Sequence, residues 1–453
     1  MKLNNNLRNF FERVGAKVDA NPIMFIIGIY LFLFLALLLS TFKLTYCCDA
    51  GYYLEIGLRI FEDGLFYDDY YSGYRSYFAP IIFGGLQKIF LLSFQSYDYA
   101  IKAVRIFLCF FYVLVMTGTS IFVLKREGIK SSLTYSLPIA FNPAVLHMVS
   151  LPMQESLIAI FCFPVIIILL SIRRGSLSFC LAWLLFFGII GYLIRSSLLW
   201  LLVPCLAYAI MSYRRYLNKD ISLGNISALR RTIILCVLLF IPQCWISYAK
   251  FASFNPYPSV STATDQIAWG IGAFKYQTVI SKDSAVGLFY PTPFKDTPEN
   301  NRGLGFYFSN PGAGLLLATT HVWVGLHPDT YKVFLSPKDI RPVSFTVLVS
   351  AVIVGLGLVG LFGAARTSPF DPGSIFLLLM FAMSCAYTAL IATETRFGIF
   401  GYIAVSVAAV QLLATREGRR AALISLPLVL AYAVISLILN ALLVYRTSWP
   451  DIG

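Results

Sequence analysis

The chain is 453 residues long, 58% hydrophobic and 16% aromatic, with only 13% charged residues and a formal net charge of +13. A soluble globular domain carries roughly 25% charged residues, so that class is excluded. Apolar runs near the ~20 residues that cross a ~30 Å hydrocarbon core recur along nearly the whole length. They are continuous rather than alternating, which selects membrane-spanning helices over a closed barrel.

Four basic residues, Lys2, Arg8, Arg13 and Lys17, precede an apolar run over 22–42. That run exceeds the ~7–15 residues of a signal-peptide core and no small-residue cleavage site follows, so it is expected to stay as a first span. Further spans are predicted at 99–124, 131–149, 155–172, 177–194, 197–213, 232–250, 343–364, 374–393, 397–414 and 421–443, eleven in all. An odd number puts the termini on opposite sides. With the N-terminus inside, the inner segments hold eighteen Lys/Arg and six Asp/Glu, net +12 of the chain's +13. The positive-inside rule therefore sets a cytoplasmic N-terminus. The basic charge reports topology and contact with anionic lipid, and no nucleic-acid partner is expected.

Two long segments interrupt the short connections, and both are expected outside. In the first, 43–98, Leu54, Leu58, Phe61 and Leu65 recur at helical spacing with Glu55, Arg59, Glu62 and Asp63 on other faces. This predicts an interfacial helix ended by Gly64. A second apolar stretch, Tyr77 to Phe94, contains Gly84-Gly85, Gln87 and Lys88 and suits an interfacial or re-entrant helix better than a twelfth span. The second segment, 251–342, is rich in Pro, Gly, Tyr and Asn, and its apolar piece Gly312 to Leu326 is too short to span easily, so a small lid with one interfacial helix is expected. Long outer segments of this kind usually carry function. The division is thus a cytoplasmic segment 1–21, an N-terminal membrane module 22–250 with its outer loop 43–98, an extracytoplasmic loop 251–342, and a C-terminal membrane module 343–453.

Most of the nine cysteines fall inside spans, where Cys acts as a small apolar residue. Cys47 and Cys48 are adjacent, and neighbours rarely bond without strain, so neither a disulfide nor a metal site is assigned. His147, His321 and His327 are too scattered for a metal triad, and a divalent metal has no clear carboxylate cluster to hold it beyond Asp68-Asp69.

The residues that most need explaining are ionisable groups at the outer ends of spans, because charge near hydrocarbon costs roughly 2.5–3.5 kcal/mol each on insertion scales. Asp49, Glu155, Arg195, Glu394 and Arg396 form this set. On one water-accessible cavity the acids would serve proton transfer and the arginines an anion. Asp49 either caps a helix at the interface or acts as a base. Glu155, after Pro152-Met153-Gln154, either faces the cavity or complements a helix dipole. Asp68 and Asp69, among Tyr67, Tyr70, Tyr71 and Tyr74, either bind sugar or form a solvated loop.

The arrangement resembles the GT-C glycosyltransferases, in the branch of the lipid A aminoarabinose transferase and the protein O-mannosyltransferases. The resemblance rests on Asp49 with Tyr52 and Tyr53 after the first span, on Tyr77-Phe78-Ala79-Pro80, on Asn142-Pro143 followed by Glu155, and on Glu394-Thr395-Arg396-Phe397. It implies an all-α polytopic GT-C-like fold, with two interfacial helices in the first outer loop and one long second loop. It further implies an inverting transfer from a polyprenyl-phosphate-sugar donor to a glycan, glycolipid or protein acceptor at the outer face of a bacterial inner membrane. Asp49 would be the base, Arg396, Arg75 and Arg195 would hold the donor phosphate, and Tyr52, Tyr53, Glu55, Asp68, Asp69, Glu155 and Glu394 would bind substrate. The chain departs from the branch at Phe78-Ala79-Pro80, which lacks the Lys that precedes Pro-Pro there, and at Asp49-Ala50, which lacks the usual second acid. The competing expectations are an O-antigen polymerase or ligase, with Arg302, Arg341 and His321 in its site, and a lipid or solute transporter.

Overall fold

The computed structural model describes residues 20–41, 49–64, 76–149, 151–172, 175–256, 261–280, 285–292, 294–298, 303–327, 344–367, 371–391 and 398–445. Helix α1 (Pro22–Thr41) is apolar on every face, as a lipid-embedded helix is. Helix α2 (Asp49–Asp63) is amphipathic, and Gly64 ends it at φ 93, a conformation that favours glycine. Its buried face differs from the expected Leu54/Leu58/Phe61 stripe. Tyr53, Leu54, Ile56, Gly57 and Ile60 are buried, whereas Leu58 is half-buried and Phe61 is exposed. Leu65 lies outside the described residues.

The rotation has a cause in α3 (Phe78–Phe94), which runs unbroken through Gly84-Gly85. A Cβ on Gly57 would stand 2.2 Å from the Pro80 carbonyl oxygen, and one on Gly84 would stand 2.1 Å from the Gly57 carbonyl carbon. The two backbones touch, as small residues allow helices in membranes to do. At 17 residues, about 25 Å, α3 is short for a crossing.

Helix α4 (Tyr97–Ala140) is 44 residues long but not one rod, because Gly128 adopts φ 84 and ψ 172 inside it. Ser132 Oγ donates to the Ser120 carbonyl (2.8 Å) and Tyr112 Oη to the Ala140 carbonyl (3.2 Å). Both pairs centre on position 126, so the arms fold back antiparallel at the Lys125–Gly128 tip. Tyr30 Oη and Ser120 Oγ share a 2.8 Å hydrogen bond that ties α1 to the first arm.

The chain continues through α5 (Pro143–Val149), α6 (Gln154–Ser171), α7 (Leu177–Ile194), a 3₁₀ turn (Ser196–Leu201), α8 (Leu202–Leu217) and α9 (Ile226–Phe251). The second long segment holds α10 (Ser261–Gly272), an antiparallel hairpin of β1 (Ala273–Ile280) and β2 (Ala285–Pro291), α11 (Leu304–Ser309) and α12 (Pro311–Leu326). The last helices are α13 (Ser344–Thr367), α14 (Pro372–Leu390), α15 (Ile399–Ala414), α16 (Arg416–Ile424) and α17 (Leu426–Tyr445). Glycines again set the packing: Cβ atoms on Gly357 and Gly360 of α13 would lie 2.3 and 2.5 Å from the carbonyl oxygens of Val405 and Ala408 on α15. Rings of Phe163, Phe187, Phe376 and Phe400 join α6, α7, α14 and α15 in the core.

The chain is thus a helical, multi-pass membrane protein. Among the described residues eight helices are long and apolar enough to cross a bilayer, or nine if α15 and α16, bent by 112°, count as one span. The eight coincide with eight of the eleven expected segments. Of the others, 131–149 falls on the second arm of α4 and on α5, 397–414 on the sixteen-residue α15, and 421–443 on the end of α16 and on α17.

The expected lid helix is docked into the bundle. In α12, Trp323 Nε1 donates to Ser436 Oγ of α17 (3.2 Å), His321 Nδ1 lies 3.4 Å from the Ala389 carbonyl, and a Cβ on Gly325 would meet Thr388 and Gly398. Burial pushes both His321 and His327 down to about 4. Between about pH 6.5 and pH 4 the unfolded chain therefore binds more protons than the folded one, so stability is complete above pH 6.5 and falls as pH drops. The loss approaches roughly 3 kcal/mol per histidine by pH 4. Thermal melts at pH 7 and pH 4.5 should show this, and His321→Gln with His327→Gln should flatten the dependence; an unchanged pH profile in the double variant would rule the histidines out as its source.

Candidate functional site

The corner that opens α3 is clamped from several sides. Tyr77 N donates to Gln243 Oε1 of α9 (3.1 Å) and Tyr77 Oη to the Leu239 carbonyl (2.6 Å). Burial pushes the Tyr77 phenol up to about 12, so it stays a donor. Ser76 Oγ accepts from Phe78 N (2.9 Å), and Gln243 Nε2 donates to the Pro256 carbonyl (2.8 Å). The Phe78 ring meets that of Phe161, 6.1 Å between centroids.

Phe161 belongs to a π-helical turn, Ile158–Cys162, inside α6. Such turns are rare and occur often at functional sites. One turn earlier is Glu155, whose side chain is 3% exposed, and Arg195 Nη1 donates to its Oε1 at 3.0 Å. The geometry is that of a charge-assisted bond between two groups taken largely out of water. Arg195 is extended between α7 and the 3₁₀ turn, which ends the span and turns the chain back. On that turn Ser197 Oγ and Trp200 Nε1 are buried with no hydrogen-bond partner among the described residues. Residues three apart eclipse on a 3₁₀ helix, so these two donors share one face. The Trp200 ring contacts Tyr387 (6.1 Å) and Phe400 (5.7 Å), which come before and after residues 394–396 in the sequence.

Asp49 is the first residue of α2, and its side chain is outside the described residues. Across the glycine crossing Tyr53 meets Phe83, Gly57 meets Gly84, and Phe61 meets Gly85 and Lys88. Partner numbers rise together, so α2 and α3 begin on the same side, and the α2 start lies toward the Ser76–Pro80 corner. Of the other expected site residues, Tyr53 is buried against Phe83, while Tyr52 and Glu55 are exposed. Arg75, Asp68, Asp69, Glu394 and Arg396 lie outside the described residues. The structure therefore pairs Glu155 with Arg195 and leaves Glu55 and Tyr52 on the opposite, exposed face of α2.

His321, a candidate under the polymerase expectation, is fully buried on the docked face of α12; Arg302 and Arg341 lie outside the described residues. Among the described residues no three His, Cys, Asp or Glu side chains group as metal ligands. Ser197 and Trp200 were not anticipated from sequence, although polar Ser196-Ser197 between two apolar spans is the signal that marks them. No known protein family and no curated protein matches this chain.

Proposed function

We propose that the chain is a glycosyltransferase that moves a sugar from a polyprenyl-phosphate-linked donor to a glycan, glycolipid or protein acceptor on the extracytoplasmic face of a bacterial inner membrane. The observation that carries the reading is the meeting at one end of the bundle of the α2 start, the clamped Ser76–Pro80 corner, and the Glu155–Arg195 pair. An acid at the membrane face, a held guanidinium and unpartnered buried donors are groups that can serve transfer from a lipid phosphate.

In this reading Asp49 takes the proton of the acceptor hydroxyl, whose oxygen attacks the anomeric carbon with inversion. The bond from that carbon to the phosphate oxygen breaks, and the polyprenyl phosphate leaves with both electrons. Arg195, held by Glu155, and Arg396 and Arg75 receive the phosphate charge; Glu394 and the Asp68-Asp69 pair contact the sugar. The test is sugar transfer in proteoliposomes supplied with a panel of labelled polyprenyl-phosphate sugars. Asp49→Asn should lower turnover about 100-fold or more while leaving expression and melting unchanged, as loss of a general base does. Full activity of Asp49→Ala would overturn the role of Asp49, and solute or lipid flux without sugar transfer would overturn the enzyme class.

A further inference from the structure

At the end of the bundle away from Glu155 lies a cavity of about 680 Å³. Helix α6 measures the separation: Glu155 is in its first turn, and Leu169 and Leu170, which line the cavity, are in its last, about 20 Å along the axis. The cavity forms where the fold-back of α4 contributes Glu127 and Lys130, α8 Arg215, α13 Gly363, α14 Asp371, and the α15–α16 bend Glu417. Its volume suits a ligand of headgroup size.

Both signs of charge line it. Lys130 and Arg215 match a phosphate, and Glu127, Asp371 and Glu417 match a cation. A simple anion would face three carboxylates and a simple cation two basic groups, so a zwitterion that carries both charges fits better. Asp371 is fixed in the wall, since its Oδ2 accepts from Ser374 N (2.8 Å) and Ser374 Oγ (2.9 Å).

The depth of the mouth follows from α16. Arg416, Arg419 and Arg420 share this helix with Leu423 and Ile424, which are 70% and 72% exposed. A short helix with basic and exposed apolar residues lies in the membrane interface. Glu417 is in its first turn, so the cavity opens at headgroup level rather than to bulk solvent.

We propose that this cavity binds the headgroup of a zwitterionic aminophospholipid, with the phosphate at Lys130 and Arg215 and the ammonium at Asp371 and Glu417. The room belongs to Gly363, where an added Cβ would meet no atom within 4 Å. Gly363 lines the cavity, so a large side chain there is expected to occupy part of it, with no clash at its Cβ.

The experiment is native mass spectrometry of the full-length, delipidated protein titrated with phosphatidylethanolamine, phosphatidylglycerol and water-soluble glycerophosphoethanolamine. Phosphatidylethanolamine should be retained about tenfold better than phosphatidylglycerol, a difference set by charge-assisted bonds. Gly363→Phe should remove that preference with melting unchanged, and Ala364→Leu, also in the wall, serves if the first variant does not fold. Equal or stronger retention of phosphatidylglycerol overturns the ligand class. A preference that survives both filling variants overturns the site, and binding of glycerophosphoethanolamine as tight as that of the lipid overturns the lipid as its source.

Discussion

Gly84→Ala is expected to destabilise the protein by about 3 kcal/mol or more, at the upper end of what overpacking costs. The new methyl would stand 2.1, 2.2 and 2.4 Å from the carbonyl carbon, Cα and carbonyl oxygen of Gly57. All are backbone atoms, so no rotamer change relieves the clash and the helices must separate. Gly57→Ala meets the Pro80 carbonyl oxygen at 2.2 Å and should behave alike. Separation would also loosen the Ser76–Pro80 corner, so transfer activity should fall with stability. Gly118→Ala supplies the control, because nothing lies within 4 Å of its added Cβ, and it should melt like the parent. Melting and limited proteolysis in detergent separate these outcomes; a Gly84→Ala protein that melts like the parent would mean the two backbones do not touch.

Arg195→Ala should be at least as costly, on the order of 3–5 kcal/mol, for an electrostatic reason. Glu155 is 3% exposed and its 3.0 Å partner would be gone. The carboxylate then loses its guanidinium at a buried position. Glu155→Gln keeps the shape and an acceptor and should cost less than Glu155→Ala. The double variant Glu155→Gln/Arg195→Gln should be more stable than the sum of the two single losses predicts, which a double-mutant cycle measures as coupling. Additive losses would mean that the two side chains do not act as a pair. A sugar-transfer assay on the same variants separates stability from phosphate binding, since Arg195→Lys keeps the charge but loses the planar fork.

Much of the membrane architecture is legible in the sequence because the bilayer makes one demand, a long apolar run, and the chain answers it in eight places with matching helices. The break at Gly128 is visible too, as a charged, glycine-containing interval between apolar arms. What escapes is whatever depends on partners distant in sequence. Gly57 reads as a weak point in an amphipathic helix, and only Gly84 across from it turns it into a contact that rotates the buried face away from Leu58 and Phe61. Glu155 and Arg195 are each readable as costly charges, but nothing local pairs residues forty apart. The β1–β2 hairpin is a different omission: Phe274, Tyr276 and Thr278 alternate with Lys275 and Gln277, a period-two signal present in the sequence. The docking of α12 depends on Ser436 and Ala389, far along the chain, so its sixteen residues read as a loose lid.

The fold-back of α4 bears on how the protein is made. Its second arm, Ile129 to Ala140, is about 18 Å long, well short of the hydrocarbon core, and Ser132, Ser136 and Pro138 dilute its apolar character. Released alone into lipid it would gain too little to stay. The first arm supplies what it lacks, since Ser120 and Tyr112 bond to it directly. The second arm therefore depends on the first for its place in the bilayer, and a first arm that failed to insert would leave it outside.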